Sequence, residues 1–275
     1  MNERVAKLRQ ASFEAEPSIS TERAVWITRF YRENIGKHSA PVMRAKAFEY
    51  LSSNQSLYLG DGELIVGERG PGPKAVSTYP ELTCHSEEDL RILGSRQRTR
   101  YRTTEEDVRV YREEVIPFWR GRTMRDRIFA GLSDAWKAAY EAGLFTEFME
   151  QRAPGHTTFD GKFYQKGLLA FKAEIAEARA ALDFLNDPEA APKREELTAM
   201  GIACDAVMAF ARRHAELAER MAADEACPQR KAELAQIAAT CRRVPAEAPR
   251  DFREALQMYW FMHLGTITEL NGWDA

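Results

Sequence analysis

Residues 249–270 read PRDFREALQMYWFMHLGTITEL, and within them Met258, Tyr259, Trp260, Phe261 and Met262 are consecutive. On a helix, such neighbours point in every direction around the axis, and a helix that is apolar on all sides is buried on all sides. Only NGWDA follows, at 271–275. That leaves little sequence to cover the helix, so the stretch predicts a fold completed by a partner or by further chain.

Working back from it, the pattern is mostly helical. Ser20 can cap a helix in which Ala24, Ile27, Thr28 and Tyr31 recur at helical spacing and which Gly36 ends, and a second helix is predicted from Pro41 to Leu51. The run LYLGDGELIVG at 57–67 changes period around Asp61-Gly62 and predicts a short β hairpin or irregular strand pair. GERGPGPK at 67–74 is too rich in Gly and Pro for regular structure. From Ser86 onward the punctuation is helical, with Thr103 and Glu106 spaced as a capping box and Thr123 with Asp126 echoing it. Helices are predicted over Thr104–Ile116, Met124–Ala130, Asp134–Glu150, Tyr164–Leu185, Glu195–Ala223 and Gln229–Arg242. In the longest, Leu197, Gly201, Cys204, Met208, Ala211, Ala215 and Ala218 form a stripe of mostly small residues that lets another helix approach closely.

Composition narrows the partners. The 275 residues include 39 basic and 42 acidic side chains, a net charge of −3, and no long run of either sign. This excludes a nucleic-acid stripe and a polybasic membrane patch, leaving small molecules or protein surfaces. The length allows one large domain or two ordinary ones. No segment is apolar enough for a signal peptide or a membrane span, which places the protein in the cytoplasm. Cys84, Cys204, Cys227 and Cys241 are widely spaced without a C-x-x-C pair, fitting buried or free thiols better than a disulfide frame or a zinc site. Neither a phosphate loop, an E-x-x-H pair nor a G-x-S-x-G elbow occurs. Chemistry alone therefore reads a helical domain that is part of something larger.

Several segments together resemble the glycyl radical enzymes of the pyruvate formate-lyase-like superfamily: DGELIVGERG at 61–70, YREEVIPFWRGRTMRD at 111–126 and CRRVPAEAPRDFREALQMYWFMHL at 241–264. Four others, TYPELTCHS at 78–86, AAYEAGLFTEFMEQRAPGHT at 138–157, LDFLND at 182–187 and TELNGWDA at 268–275, look most like the branch that dehydrates trans-4-hydroxy-L-proline. The resemblance implies an α/β fold overall, a ten-stranded α/β barrel wrapped by helices. Residues 1–275 would be the N-terminal part of a single pyruvate formate-lyase-like (PFL) domain: a mostly α-helical layer, with the short hairpin, that continues beyond the chain. It further implies a small-molecule substrate, a homodimer in the full-length protein, and a radical-SAM activase that installs a glycyl radical. No bound metal or organic cofactor is implied. The radical Gly of an R-V-x-G-Y motif and the thiyl Cys have no counterpart here, so no cysteine of this chain is catalytic and the chain alone is expected to be inactive.

The same resemblance supplies the site residues. His156, on a Pro-Gly loop, and Asp274 match an active-site His and Asp that could protonate a departing hydroxyl, and Phe148 matches an aromatic pocket wall. Residue type alone reads them otherwise. A histidine after Pro-Gly is ordinarily a loop residue, an aspartate near a chain end is ordinarily solvated, and a phenylalanine is ordinarily core. Glu147, Glu150, His85 and Glu269 read as ion-pairing or loop groups. The competing expectations are another lyase of the superfamily, of formate C-acetyltransferase, diol dehydratase or decarboxylase type, and a non-catalytic helical module that binds a partner through the final helix.

Overall fold

Three helix starts follow directly from local sequence. Ser86 with Asp89, Thr104 with Asp107 and Thr123 with Asp126 each form a reciprocal capping box, the hydroxyl accepting from one backbone N–H and the carboxylate from the other. The middle box lies one residue beyond the expected Thr103–Glu106 pair, because the Thr103 hydroxyl instead donates to the Leu90 carbonyl at 3.1 Å. The computed structural model describes residues 2–145 and 161–269.

The described helices are α1 (Glu3–Glu14), α2 (Glu22–Asn34), α3 (Ala40–Asn54), α4 (Glu87–Ser95), α5 (Glu105–Val110), which runs through a π turn at Tyr111–Val115 into α6 (Ile116–Trp119), α7 (Met124–Gly131), α8 (Asp134–Glu141), α9 (Lys162–Gln165), α10 (Leu168–Ala180), α11 (Ala190–Asp224), α12 (Pro228–Arg243) and α13 (Phe252–Glu269). Helix α11 is the spine, 35 residues long, and packs against α3, α10, α12 and α13. Its small-residue stripe is core from Met208 to Ala218, where Ala211, Ala215 and Ala218 are at most 1% exposed, whereas Leu197, Gly201 and Cys204 are only half-buried. A second apolar cluster joins α2 and α3 to the α5–α6 segment through Ile27, Phe30, Leu51, Tyr111 and Trp119. Among the described residues no helix is long and apolar enough to cross a membrane.

Helix α13 is better covered than its sequence implies. Met258, Phe261 and Leu264 are at most 1% exposed, packed in the cluster built on α11 and α12. The preceding chain therefore supplies the cover for that face, whereas Phe252, Leu256 and Tyr259, spaced along another face, stay exposed.

The expected hairpin around Asp61-Gly62 is not formed. Arg230 donates to the Gly60 and Glu63 carbonyls at 3.2 and 2.8 Å, and the Gln257 amide takes both the N–H and the carbonyl of Val66 at 2.8 Å. Side chains thus occupy backbone groups that a second strand would use. The described strand pair lies elsewhere and is parallel, with β1 (Ser18–Ser20) beside β2 (Ala75–Ser77) and Ile19 opposite Val76.

Candidate functional site

Helix α13 presents a polar strip to the 66–67 backbone. Besides the Gln257 pair, the Trp260 indole donates to the Gly67 carbonyl at 2.7 Å. Gly67 has φ +119°, and a Cβ there would lie 2.7 Å from Leu264 Cδ1, so only glycine fits this close approach. His214 of α11 lies beneath the loop, wholly buried between the rings of Phe210 and Phe261. Its Nδ1 is 3.0 Å from the Phe210 carbonyl, and Nε2 has no hydrogen-bond partner among the described residues.

Burial pushes the His214 pKa from 6.5 down to about 4, so the ring is neutral and Nδ1–H donates. The unfolded chain takes up the proton at the ordinary value, before the folded chain does. The contribution of this group is therefore intact above pH 6.5 and is lost as pH falls from 6.5 to about 4. Between pH 7 and 4, wild type should lose about 3 kcal/mol more stability than His214→Gln, measured by urea unfolding at each pH. Equal slopes for the two proteins would assign the acid sensitivity to other groups.

The last turn of α13 is held from three directions. Arg23 of α2, 3% exposed, donates from Nε to the Thr268 carbonyl at 2.7 Å and from Nη1 to the Thr78 carbonyl at 3.3 Å. Its guanidinium also pairs with both oxygens of Glu81 and lies 3.9 Å from the centre of the Tyr79 ring. Burial works against the Arg23 charge, and Glu81 outweighs it, holding the pKa above its ordinary value. The Tyr79 hydroxyl donates to the Ile267 carbonyl, and burial raises its pKa, so it keeps the proton it donates. Arg44 of α3 grips Glu269 at 2.6 Å, consistent with the ion-pairing reading of that glutamate.

Phe148 and His156, with Glu147 and Glu150, fall in 146–160, and Asp274 falls in 270–275; all lie outside the described residues. The structure describes the chain on either side of 146–160. Phe145 lies against Trp136 and Tyr140, with ring centres 5.3 and 5.7 Å apart, and Phe163 just beyond the first segment is 3% exposed. Arg23 is legible in the sequence as a warning sign. It lies one turn before Ile27 on the apolar face of α2, and a charge there needs buried partners. Gln257, a polar residue in an apolar run, gives the same signal.

Two other features bear on chemistry. The cysteines are free; burial pushes the thiols of Cys84 and Cys241 up to about 12 and that of Cys204 up to about 11, far from the thiolate range. A cavity of about 720 Å³ lies between α3, α10, α11 and α13, walled by Phe48, Phe171, Ile175, Leu197 and Val207, with Arg44 and Glu269 among its lining. Its apolar wall suits hydrophobic side chains better than a charged amino acid. Among the described residues no group of three His, Cys, Asp or Glu could hold a metal ion.

Fold and comparison together define the class. A profile of the family described as "Pyruvate formate lyase-like" matches residues 1–275, and the chain belongs to that family. It is 48% identical over 273 residues to trans-4-hydroxy-L-proline dehydratase of Clostridioides difficile, covering 99% of this chain and 35% of that protein. The crystal structure of hydroxyproline dehydratase from the same organism, with trans-4-hydroxy-L-proline bound, superposes with a TM-score of 0.93 at 47% identity, covering 98% of this chain and 34% of that one. The B12-independent glycerol dehydratase of Clostridium butyricum, in its glycerol-bound form, gives a TM-score of 0.92 at 28% identity, covering 99% and 35%. The fold expected from the resemblance, the helical portion of a glycyl radical enzyme, is the one these structures share. This chain spans about a third of the length of such relatives.

Proposed function

We propose that residues 1–275 are the N-terminal part of a single pyruvate formate lyase-like domain in a cytoplasmic dehydratase that removes water from trans-4-hydroxy-L-proline. The observation that carries this reading is 48% identity over 99% of the chain to a dehydratase of that substrate. The radical that begins such a reaction would reside on residues outside 1–275, installed by a radical-SAM activase and housed in a homodimer. None of the four cysteines sits in a motif that matches the family's thiyl cysteine.

What this chain would contribute is the proton. Hydroxide is a poor leaving group and departs as water only when an acid stands within hydrogen-bond reach. His156 and Asp274 would form that acid pair, and Phe148 would wall the pocket against the ring of the substrate.

The test is anaerobic turnover of the activated full-length protein, with pyrroline-5-carboxylate as the expected product and glycerol as a poor substrate. The 275-residue chain alone should give no product under the same conditions, since it lacks the radical carriers. Preferred dehydration of glycerol would move the protein to another branch of the family, and turnover by the isolated chain would overturn the division of labour.

A further inference from the structure

Protein interiors are close-packed, and voids larger than a water molecule are few in any domain. The recess of about 720 Å³ between α3, α10, α11 and α13 departs from that rule. Its floor is ordinary core, with Phe48, Ile175, Val207 and Met262 at most 9% exposed. On the same wall, Ala199 and Ala203 of α11 stand where larger side chains would have closed the gap, and Met200 beside them is 51% exposed. The described helices leave this part of the core unfinished.

The rim argues about what finishes it. A small ligand needs a few free polar groups that converge to orient it. Here Arg44 is taken up by Glu269 at 2.6 Å and Glu174 by Lys166, while Glu196 adds its field to the same Arg44 guanidinium. What the recess still offers is apolar surface, which suits large aliphatic or aromatic side chains. Length points to their source. This chain superposes with a TM-score of 0.93 on 34% of a hydroxyproline dehydratase chain, and with 0.92 on 35% of a glycerol dehydratase chain. The shape of this third is thus shared with proteins that have about two-thirds of their length left to pack against it.

We propose that the recess between α3, α10, α11 and α13 is the seat of an apolar segment of the same polypeptide from beyond residue 275, whose large side chains complete the core that Phe48, Val207 and Met262 begin. The inference rests on the reading of residues 1–275 as the N-terminal part of a longer domain, and it is independent of the substrate.

The test uses the full-length protein with the photoreactive residue p-benzoylphenylalanine in place of Met200. Irradiation should join position 200 to a peptide from beyond residue 275 of the same protomer, identified by mass spectrometry, with the protein still at monomer mass in denaturing gels. Ala203→Trp, which overfills an occupied recess, should lower the melting temperature by about 2 to 6 °C relative to Ala223→Trp, at an exposed position of α11 outside the recess. An equal or higher melting temperature means that the recess is empty and overturns the inference. A covalent dimer assigns the recess to a second copy and overturns it too, as do cross-links confined to residues 1–275 or none at all. If Ala203→Trp fails to fold, the cross-link decides alone. A cross-link beyond residue 275 in an enzyme that prefers glycerol upholds the seat and overturns only the substrate assignment. A reading frame that stops after Ala275 overturns both this inference and the reading beneath it.

Discussion

In the full-length enzyme, His156→Gln and Asp274→Asn are each expected to lower kcat by ~100 to 10,000-fold, the range for losing a general acid or base. Both substitutions keep size and hydrogen-bonding capacity while removing the ability to give up a proton near neutral pH. Neither folding nor radical installation needs that proton, so glycyl radical content and melting temperature should stay at wild-type values. The two losses should not multiply in the double variant if the residues act as one pair, because groups that act as a unit are strongly non-additive. A His156→Gln enzyme with normal radical content and near-normal turnover would return His156 to an ordinary loop residue. Radical and activity lost together would make its role structural.

How far the sequence carries depends on where each feature gets its partners. Ser86 and Thr123 find their capping carboxylates three residues away, so those helix starts are legible. The α11 stripe is legible because its period is visible within one helix. Helix α1 escapes the sequence reading because it buries no residue and so carries no apolar period; its Asn2 cap and an ion pair from Arg4 to Glu233 hold it. The hairpin expectation fails because Gln257 and Arg230, some 170 to 190 residues away, occupy the backbone groups a strand would need. The site shows the same division. His156, Asp274 and Phe148 become candidates only through family resemblance, since nothing in their immediate neighbours distinguishes them from loop, solvent and core residues. Arg23 is visible as a misplaced charge, but what it grips comes from Thr78, Glu81 and Thr268, which only the fold brings together.

The break between α9 and α10, where the pattern predicts one helix over Tyr164–Leu185, yields the second large effect. Gly167 is expected to tolerate no side chain at all, although its φ of −82° is open to any residue. The constraint is space: a Cβ there would lie 2.2 Å from the Ala246 carbonyl oxygen and 2.4 Å from Glu247 Cα. These are backbone atoms and cannot swing aside as a side chain can. The close approach lets Leu168 N–H donate to the Pro245 carbonyl at 2.9 Å and Leu169 N–H to the Ala246 carbonyl at 3.0 Å, satisfying two donors at the start of α10. Leu168, 1% exposed, is held in the core by the same contact. Gly167→Ala must push the two segments apart, losing both bonds and opening the packing around Leu168. With about 1–3 kcal/mol for each buried group left unpaired, the loss should reach about 3 to 6 kcal/mol, a large share of an ordinary domain's stability. Gly201→Ala is the matched control: it lies within α11 with nothing within 4 Å of an added methyl, and should stabilise by about 0.5 to 1 kcal/mol. Denaturant midpoints of the two variants in the full-length protein should therefore move in opposite directions. A Gly167→Ala protein as stable as wild type would mean that the 165–169 and 245–247 segments do not pack backbone against backbone.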